Sequence, residues 1–316
     1  MRPHPVRQSA PATPEFAQIP EQTRLRVQQD ELLEFVTQVF AAHGAPPGPA
    51  RMAAEALCYG DVTGTPAKGL AELGHAHLPM LATGRARAYA EPLVIADRGA
   101  TVLVDYRGAL GLWAVSDAMD RAVLRAGRHG IGLVSMRGVT EFGCAAHHAT
   151  RALACGMIGL VLASGGRRGP SSPSANPLGV AVPGGAYPPF VFDLDAAGMP
   201  VSDAHTATGF VLLVQALAGL VSGAAGHEDD TGLLVLAIAP ATLRSADGFY
   251  RDASALFGSL LGWQDGAPDR YPGWREAQRA DECQALGVPL TAQLYRELTE
   301  IGESLGIRVP RTIGER

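Results

Sequence analysis

The chain is predicted to be an α/β protein, with a mixed sheet covered by helices and an N-terminal helical part. Three observations predict it. Between residues 101 and 245, short apolar runs of buried-strand length alternate with segments of helical period. Glycines stand where the helical segments stop, at Gly44, Gly130 and Gly156. With 316 residues and 47% hydrophobic content, the chain can bury a full core and build one large or two modest units.

The elements follow in order. Residues 1–24 carry Pro3, Pro5, Pro11, Pro14 and Pro20, a composition that cannot bury enough to order itself, so a mobile leader is expected. From Arg26, the positions Val27, Leu32, Leu33, Phe35, Val36, Val39 and Phe40 recur at helical spacing, and Gly44 and Pro46-Pro47 stop the helix. A second helix is expected over Ala50 to Asp61. Leu103 to Asp105 reads as a strand, Leu112 to Ala126 as a helix, and Ile131 to Met136 as a buried strand. The pattern then repeats, with a helix from Cys144 to Ala154 and a strand from Ile158 to Ala163. The Gly-, Ser- and Pro-rich run from Ser164 to Pro177, holding Arg167 and Arg168, reads either as a long functional-type loop or as a disordered one. Gly209 to Val221 is apolar throughout and reads as a core helix. Leu233 to Ile238 follows as a strand, and Asp252 to Leu261 and Thr291 to Leu305 as helices.

These elements divide the chain into the leader (1–24), an N-terminal helical part contributing to a pocket (25–100), and a central α/β unit (101–245). A C-terminal helical part (246–316) is expected to pack on the N-terminal one.

Composition excludes several functions. A formal charge of -5 with interspersed signs provides no polybasic stripe, which argues against nucleic acid and membrane surfaces as partners. Residues 1–20 contain no apolar h-region, and no apolar run reaches the roughly 20 residues of a membrane span. Cys58, Cys144, Cys155 and Cys283 lack CxxC spacing and read as buried free thiols of a reducing cytoplasm. There is no GxGxxG, GxxxxGK[ST], HExxH or GxSxG motif. His75 with His77, the adjacent His147-His148 and the acidic tip Gly226 to Gly232 are read as structural or solvated rather than metal-binding.

A set of ordered boxes is more specific. Gly60-Asp61-Val62-Thr63-Gly64 leads to Ala67-Lys68-Gly69; Glu141-Phe142-Gly143 is followed by Asn176-Pro177-Leu178, Phe190 to Asp193, Thr208-Gly209-Phe210, Gly273-Trp274-Arg275 and Leu286 to Leu290. In order and spacing these boxes resemble those of the malate/L-lactate dehydrogenase-type family, over about Arg26 to Val309. The resemblance implies the non-Rossmann fold of that family, a homodimer, and reduction of 2-oxo acids or cyclic imino acids with NADH or NADPH. It also implies that Phe142, Gly143, Asn176, Pro177 and Thr208 are the positions that would touch a nucleotide.

The chemistry-bearing positions depart from that pattern. The family's Ser-His-Gly box reads Ala67-Lys68-Gly69, its following Arg is Glu72, and its His-Phe-Gly box reads Glu141-Phe142-Gly143. Glu72 cannot clamp a substrate carboxylate as an arginine does. A buried Glu141 with a raised pKa could still serve as an acid. The acidic position is kept as Asp193, only 14 residues (Leu194 to Ala207) separate it from the Thr208 box, and that box has lost its lysine.

Together the departures favour a cofactor-independent cyclase, lyase or isomerase of specialised metabolism, with Lys68, Glu141, Asp193 and Glu72 around one cavity. Lys68 would be the acid or electrophile and Glu141 the base, or the two would form a plain ion pair. An NADPH- or NADH-dependent reductase and a catalytically inactive binding homologue are the alternatives. In each case the partner of the pocket is a small molecule, with no metal.

Overall fold

The computed structural model describes residues 24–164, 177–195, 204–224, 231–261 and 271–313. Among these, a mixed sheet runs in the order β2 (Leu93–Asp97), β3 (Thr101–Ala109), β4 (Ile131–Val139), β8 (Leu233–Ile238), β5 (Ile158–Ala163), β6 (Pro177–Val182) and β7 (Phe190–Asp195). Only β3 and β4 pair in parallel. Parallel neighbours need a crossover, and α4 (Gly111–His129) supplies it. Its apolar face buries Leu112, Val115, Met119, Ala122 and Ala126, and Gly130 ends it in the left-handed conformation with its N–H on the Ala126 carbonyl at 2.8 Å.

The N-terminal helices form the other half of the core. α1 (Gln29–Ala42) buries Leu32, Phe35, Val36, Val39 and Phe40 against α2 (Pro47–Thr63), which starts on Pro47 and buries its alanines and Leu57. The expected helix from Arg26 begins later, because Arg24–Val27 is a strand, β1, paired antiparallel with β9 (Val288–Thr291). One four-residue strand carries too little periodicity to be read, and its partner lies more than 250 residues away. α9 (Ala292–Leu305), capped by the Thr291 hydroxyl, also packs on α1, and α8 (Trp274–Leu286) packs on α2. By contrast α7 (Ala246–Leu260) lies at the β6/β7 edge of the sheet, with the Phe257 ring 6.3 Å from that of Phe190.

Three readings need correction. The helix expected over 144–154 breaks into α5 (Ala145–Thr150) and a 3-10 turn, Arg151–Cys155. Cys155 is exposed, whereas Cys58, Cys144 and Cys283 are buried and free. The apolar segment 209–221, expected in the core, forms α6 (Ala204–Val214) and a continuing π-helical turn, Gln215–Leu220. It buries only Val214, Ala218 and Gly219, leaving Leu212, Leu213, Leu217, Leu220 and Val221 exposed. Among the described residues no helix is long and apolar enough to cross a membrane. The loop with Arg167, Arg168 and Asn176 and the tip at 226–230 lie outside the described residues.

Candidate active site

The site is organised by the turn that follows α2. Gly64 caps α2 with φ +91, a conformation that only glycine takes readily, and its N–H reaches the Gly60 carbonyl at 3.1 Å. Two residues on, Pro66–Lys68 makes a single 3-10 turn. The Asp61 carboxylate accepts the Leu70 N–H at 2.6 Å and so closes the loop on itself. Burial, only partly offset by that hydrogen bond, raises the Asp61 pKa to about 6.

This loop presents Lys68 to the sheet. Its Nζ lies 3.1 Å from Asp193 Oδ1 near the end of β7, and Asp193 Oδ2 accepts the Ala146 N–H at 3.0 Å. Asp193 is therefore held from two sides, and it fixes the position of the ammonium. The ion pair expected between Lys68 and Glu141 is replaced by this one. Glu141 is exposed rather than buried.

The opposite wall is the turn Glu141-Phe142-Gly143 after β4. It sits on the start of α4 so closely that a Cβ at Gly111 would overlap the Thr140 carbonyl oxygen. From the other side, His148 Nε2 donates to the Phe142 carbonyl at 2.8 Å while its Nδ1 pairs with the Ser116 hydroxyl at 2.9 Å. That bonding assigns the tautomer. Complete burial, above all, lowers the His148 pKa to about 4, so the ring is a neutral brace for the turn. His147, also buried, has an Nε2 without a partner and a pKa well below its usual value, first through burial and then through His148. Its neighbour Cys144 has its thiol pushed up to about 12 by burial and by Asp193.

Between these walls lies a cavity of about 580 Å³. Lys68, Glu72, Glu141, Phe142, Gly143 and Pro177 all line it, and Asp193 joins through Lys68. Thr208 lies exposed on α6 and is not part of this lining; Asn176 is outside the described residues.

Three lining residues were not among the expected site residues: His75 and His77, which the sequence reads as structural or solvated, and Arg85. The histidines are brought in by a π-helical turn, Leu73–His77, which runs into α3 (Leu78–Ala82). Single π turns cluster at functional sites, but nothing in the spacing of Leu73 to His77 announces one. His75 Nδ1 is 2.7 Å from the Ala71 carbonyl, so it carries the hydrogen and Nε2 is the basic nitrogen. His77 is 3% exposed, its Nδ1 has no partner, and burial lowers its pKa to about 4. Arg85 is exposed and has no carboxylate partner among the described residues. Among those residues no group of three His, Cys, Asp or Glu side chains could hold a metal ion.

A helical N-terminal half, a mixed sheet and an open pocket of mixed charge where they meet define a non-Rossmann α/β fold. The chain belongs to the malate/L-lactate dehydrogenase family, whose profile matches residues 27–206. The malate dehydrogenase of Pyrococcus abyssi is 26% identical over 189 residues, a match covering 57% of this chain and only 51% of that protein. The L-sulfolactate dehydrogenase of Methanothermobacter thermautotrophicus is 22% identical over 342 residues, covering 90% and 98%. Among solved structures, Pyrococcus horikoshii malate dehydrogenase superposes with a TM-score of 0.81 at 19% identity, over 92% of this chain and 98% of that one. The delta1-piperideine-2-carboxylate reductase of Pseudomonas syringae gives 0.71 at 20% identity, over 87% and 99%. The relatives are dehydrogenases and reductases, and they lend no support to the non-redox role favoured by the substitutions.

Proposed function

We propose that the protein is an NADH- or NADPH-dependent reductase of a small carboxylated carbonyl or imine compound, with its acid and its anchor in unusual places. One observation carries this reading: His75 and Arg85 line the same cavity as Lys68. A proton donor and a carboxylate clamp, absent at positions 141 and 72, are thereby available from the next turns of chain.

The described residues fit the reacting end of a nicotinamide. Gly143, with φ +77, leaves bare backbone beside Lys68, where a Cβ would stand 3.8 Å from the Lys68 carbonyl oxygen, and Pro177 lines the same cavity. Phe142, Gly143 and Pro177 would hold that end. NADH or NADPH, when bound, contributes a hydride to the carbonyl or imine carbon. The chain's own residues do the rest. Arg85 pairs with the substrate carboxylate, bidentate geometry fixing its orientation. The Lys68 ammonium, preorganised by Asp193, stabilises negative charge as it develops on the substrate oxygen. His75, as imidazolium, donates the Nε2 proton to that atom, and the Ala71 carbonyl retains the Nδ1 hydrogen.

Titration with NADH and NADPH, followed by a screen of 2-oxo acids and cyclic imines, tests this. Saturable binding at micromolar concentration with cofactor consumption is the expected result. No binding at about 1 mM would favour the second reading, a cofactor-free acid/base enzyme, to which the fixed Lys68–Asp193 pair and the carboxylates of Glu72 and Glu141 are suited. We further infer a homodimer that covers the exposed apolar face of α6, and a cytoplasmic location suited to the free thiols.

A further inference from the structure

A second cavity, of about 390 Å³, lies between the end of α2, α8 and the β1/β9 pair. Gly64 and Pro66 line it, while the next two residues, Ala67 and Lys68, line the first cavity. One turn of chain therefore separates the two.

Four charged side chains face this space: Arg26, Asp61, Arg279 and Glu282. Two of them satisfy each other, since Arg26 donates to Glu282 Oε1 at 2.8 Å and to the Gly287 carbonyl at 2.9 Å. The other two are left with capacity. Arg279 lies across Gly64, where a Cβ would overlap its guanidinium, and among the described residues it has no carboxylate partner. Asp61 is a largely buried carboxylate that accepts the Leu70 N–H and its own backbone N–H, with further lone-pair capacity and no cation bonded to it among the described residues. All four charges act on the Cys283 thiol at the cavity wall: burial first, then Glu282 and Asp61, raise its pKa, and Arg26 and Arg279 lower it. They are thus close together, and the lining is balanced, with one cation and one anion unspent.

We propose that this cavity is a second binding site, for a small zwitterion of the α-amino acid class, its carboxylate on Arg279 and its ammonium on Asp61. Neither charge alone suits the lining, because an anion would meet Asp61 and Glu282 and a cation would meet Arg279 and Arg26. A bound ammonium also holds Asp61 in its ionised form, which burial disfavours. Because Asp61 closes the loop that carries Lys68, occupancy would bear on the first cavity.

Calorimetric titration of the full chain with glycine, L-alanine, L-glutamate and L-lysine, beside acetate, methylamine and inorganic phosphate, tests the assignment. At least one amino acid should bind saturably, with acetate and methylamine weaker by about tenfold or more. Arg279→Ala, at an exposed position, should weaken it by about tenfold. Asp61→Asn should weaken amino acids more than acetate, and Arg85→Ala, in the other cavity, should leave binding unchanged. The proposal fails if no amino acid binds by about 10 mM, if phosphate or acetate binds as tightly, or if Arg85→Ala rather than Arg279→Ala abolishes binding. It does not depend on the reductase reading, and reductase assays alone neither support nor sink it.

Discussion

Segments 67–72 and 73–85 line the same cavity and differ in how their chemistry is held. In the first, Lys68 is fixed by Asp193 and the loop is closed by Asp61. In the second, a π turn brings His75 and His77 to the lining, and Arg85 stands free of any carboxylate among the described residues. The first segment keeps the family's frame with altered residues. On the proposed reading, the second holds a proton donor and a carboxylate anchor outside the boxes that carry the resemblance. That would move both roles a turn or two along the chain while the cavity stays, since the cavity, rather than the sequence position, decides what meets the substrate.

Replacing His75 separates the two segments most sharply. His75→Ala should reduce kcat by about 10²- to 10⁴-fold with little change in KM, as expected for a lost proton donor. An equal loss in kcat/KM from KM alone would assign it a binding role instead. Arg85→Ala should act the other way, raising KM by about 10- to 100-fold with kcat nearly kept, the cost of a lost charge-assisted pair.

Acid should loosen the pocket before the rest of the core. His77 and His148 have folded pKa values of about 4 against about 6.5 unfolded, so the stability they contribute is complete above pH 6.5 and is lost as pH falls toward 4. Asp61, raised to about 6 from 3.8, runs oppositely: its contribution is present below pH 3.8 and is lost as pH rises through 6. Two histidines outweigh one carboxylate, giving a net loss on the order of 2 kcal/mol from pH 7 to 5. Urea midpoints at the two pH values measure it, and a higher midpoint at pH 5 would refute the sign. The smallest effect belongs to Glu141→Gln: the side chain is exposed at the cavity, and activity should change less than about threefold. A large drop would restore Glu141 to the role its sequence position suggested.

Much of the sheet and its helices could be read from the sequence because the signals are local. β5 and β8 match their apolar runs residue for residue, and α4 shows its buried stripe and its Gly130 stop. What escaped depends on distant partners. β1 exists because β9 pairs with it, and α6 is apolar all round yet covered on one side in a single chain. The cavity followed the same rule. Ordered boxes led to Lys68, Glu72, Phe142 and Gly143, whereas the partner of Lys68 is set by the fold, which places Asp193 rather than Glu141 within reach. The sequence puts His75 and His77 on one face only in an extended segment and reads them as structural or solvent-facing, whereas the π turn Leu73–His77 sets both at one cavity.

The most direct measurement compares a 2-oxo acid with its uncharged amide, using wild type and Arg85→Ala with NADPH and NADH. Wild type should prefer the acid in kcat/KM by about tenfold or more, and Arg85→Ala should erase that preference while still turning over the amide. An undiminished preference in Arg85→Ala, or no cofactor-dependent turnover of any 2-oxo acid by wild type, would contradict the relocation of the carboxylate anchor to Arg85.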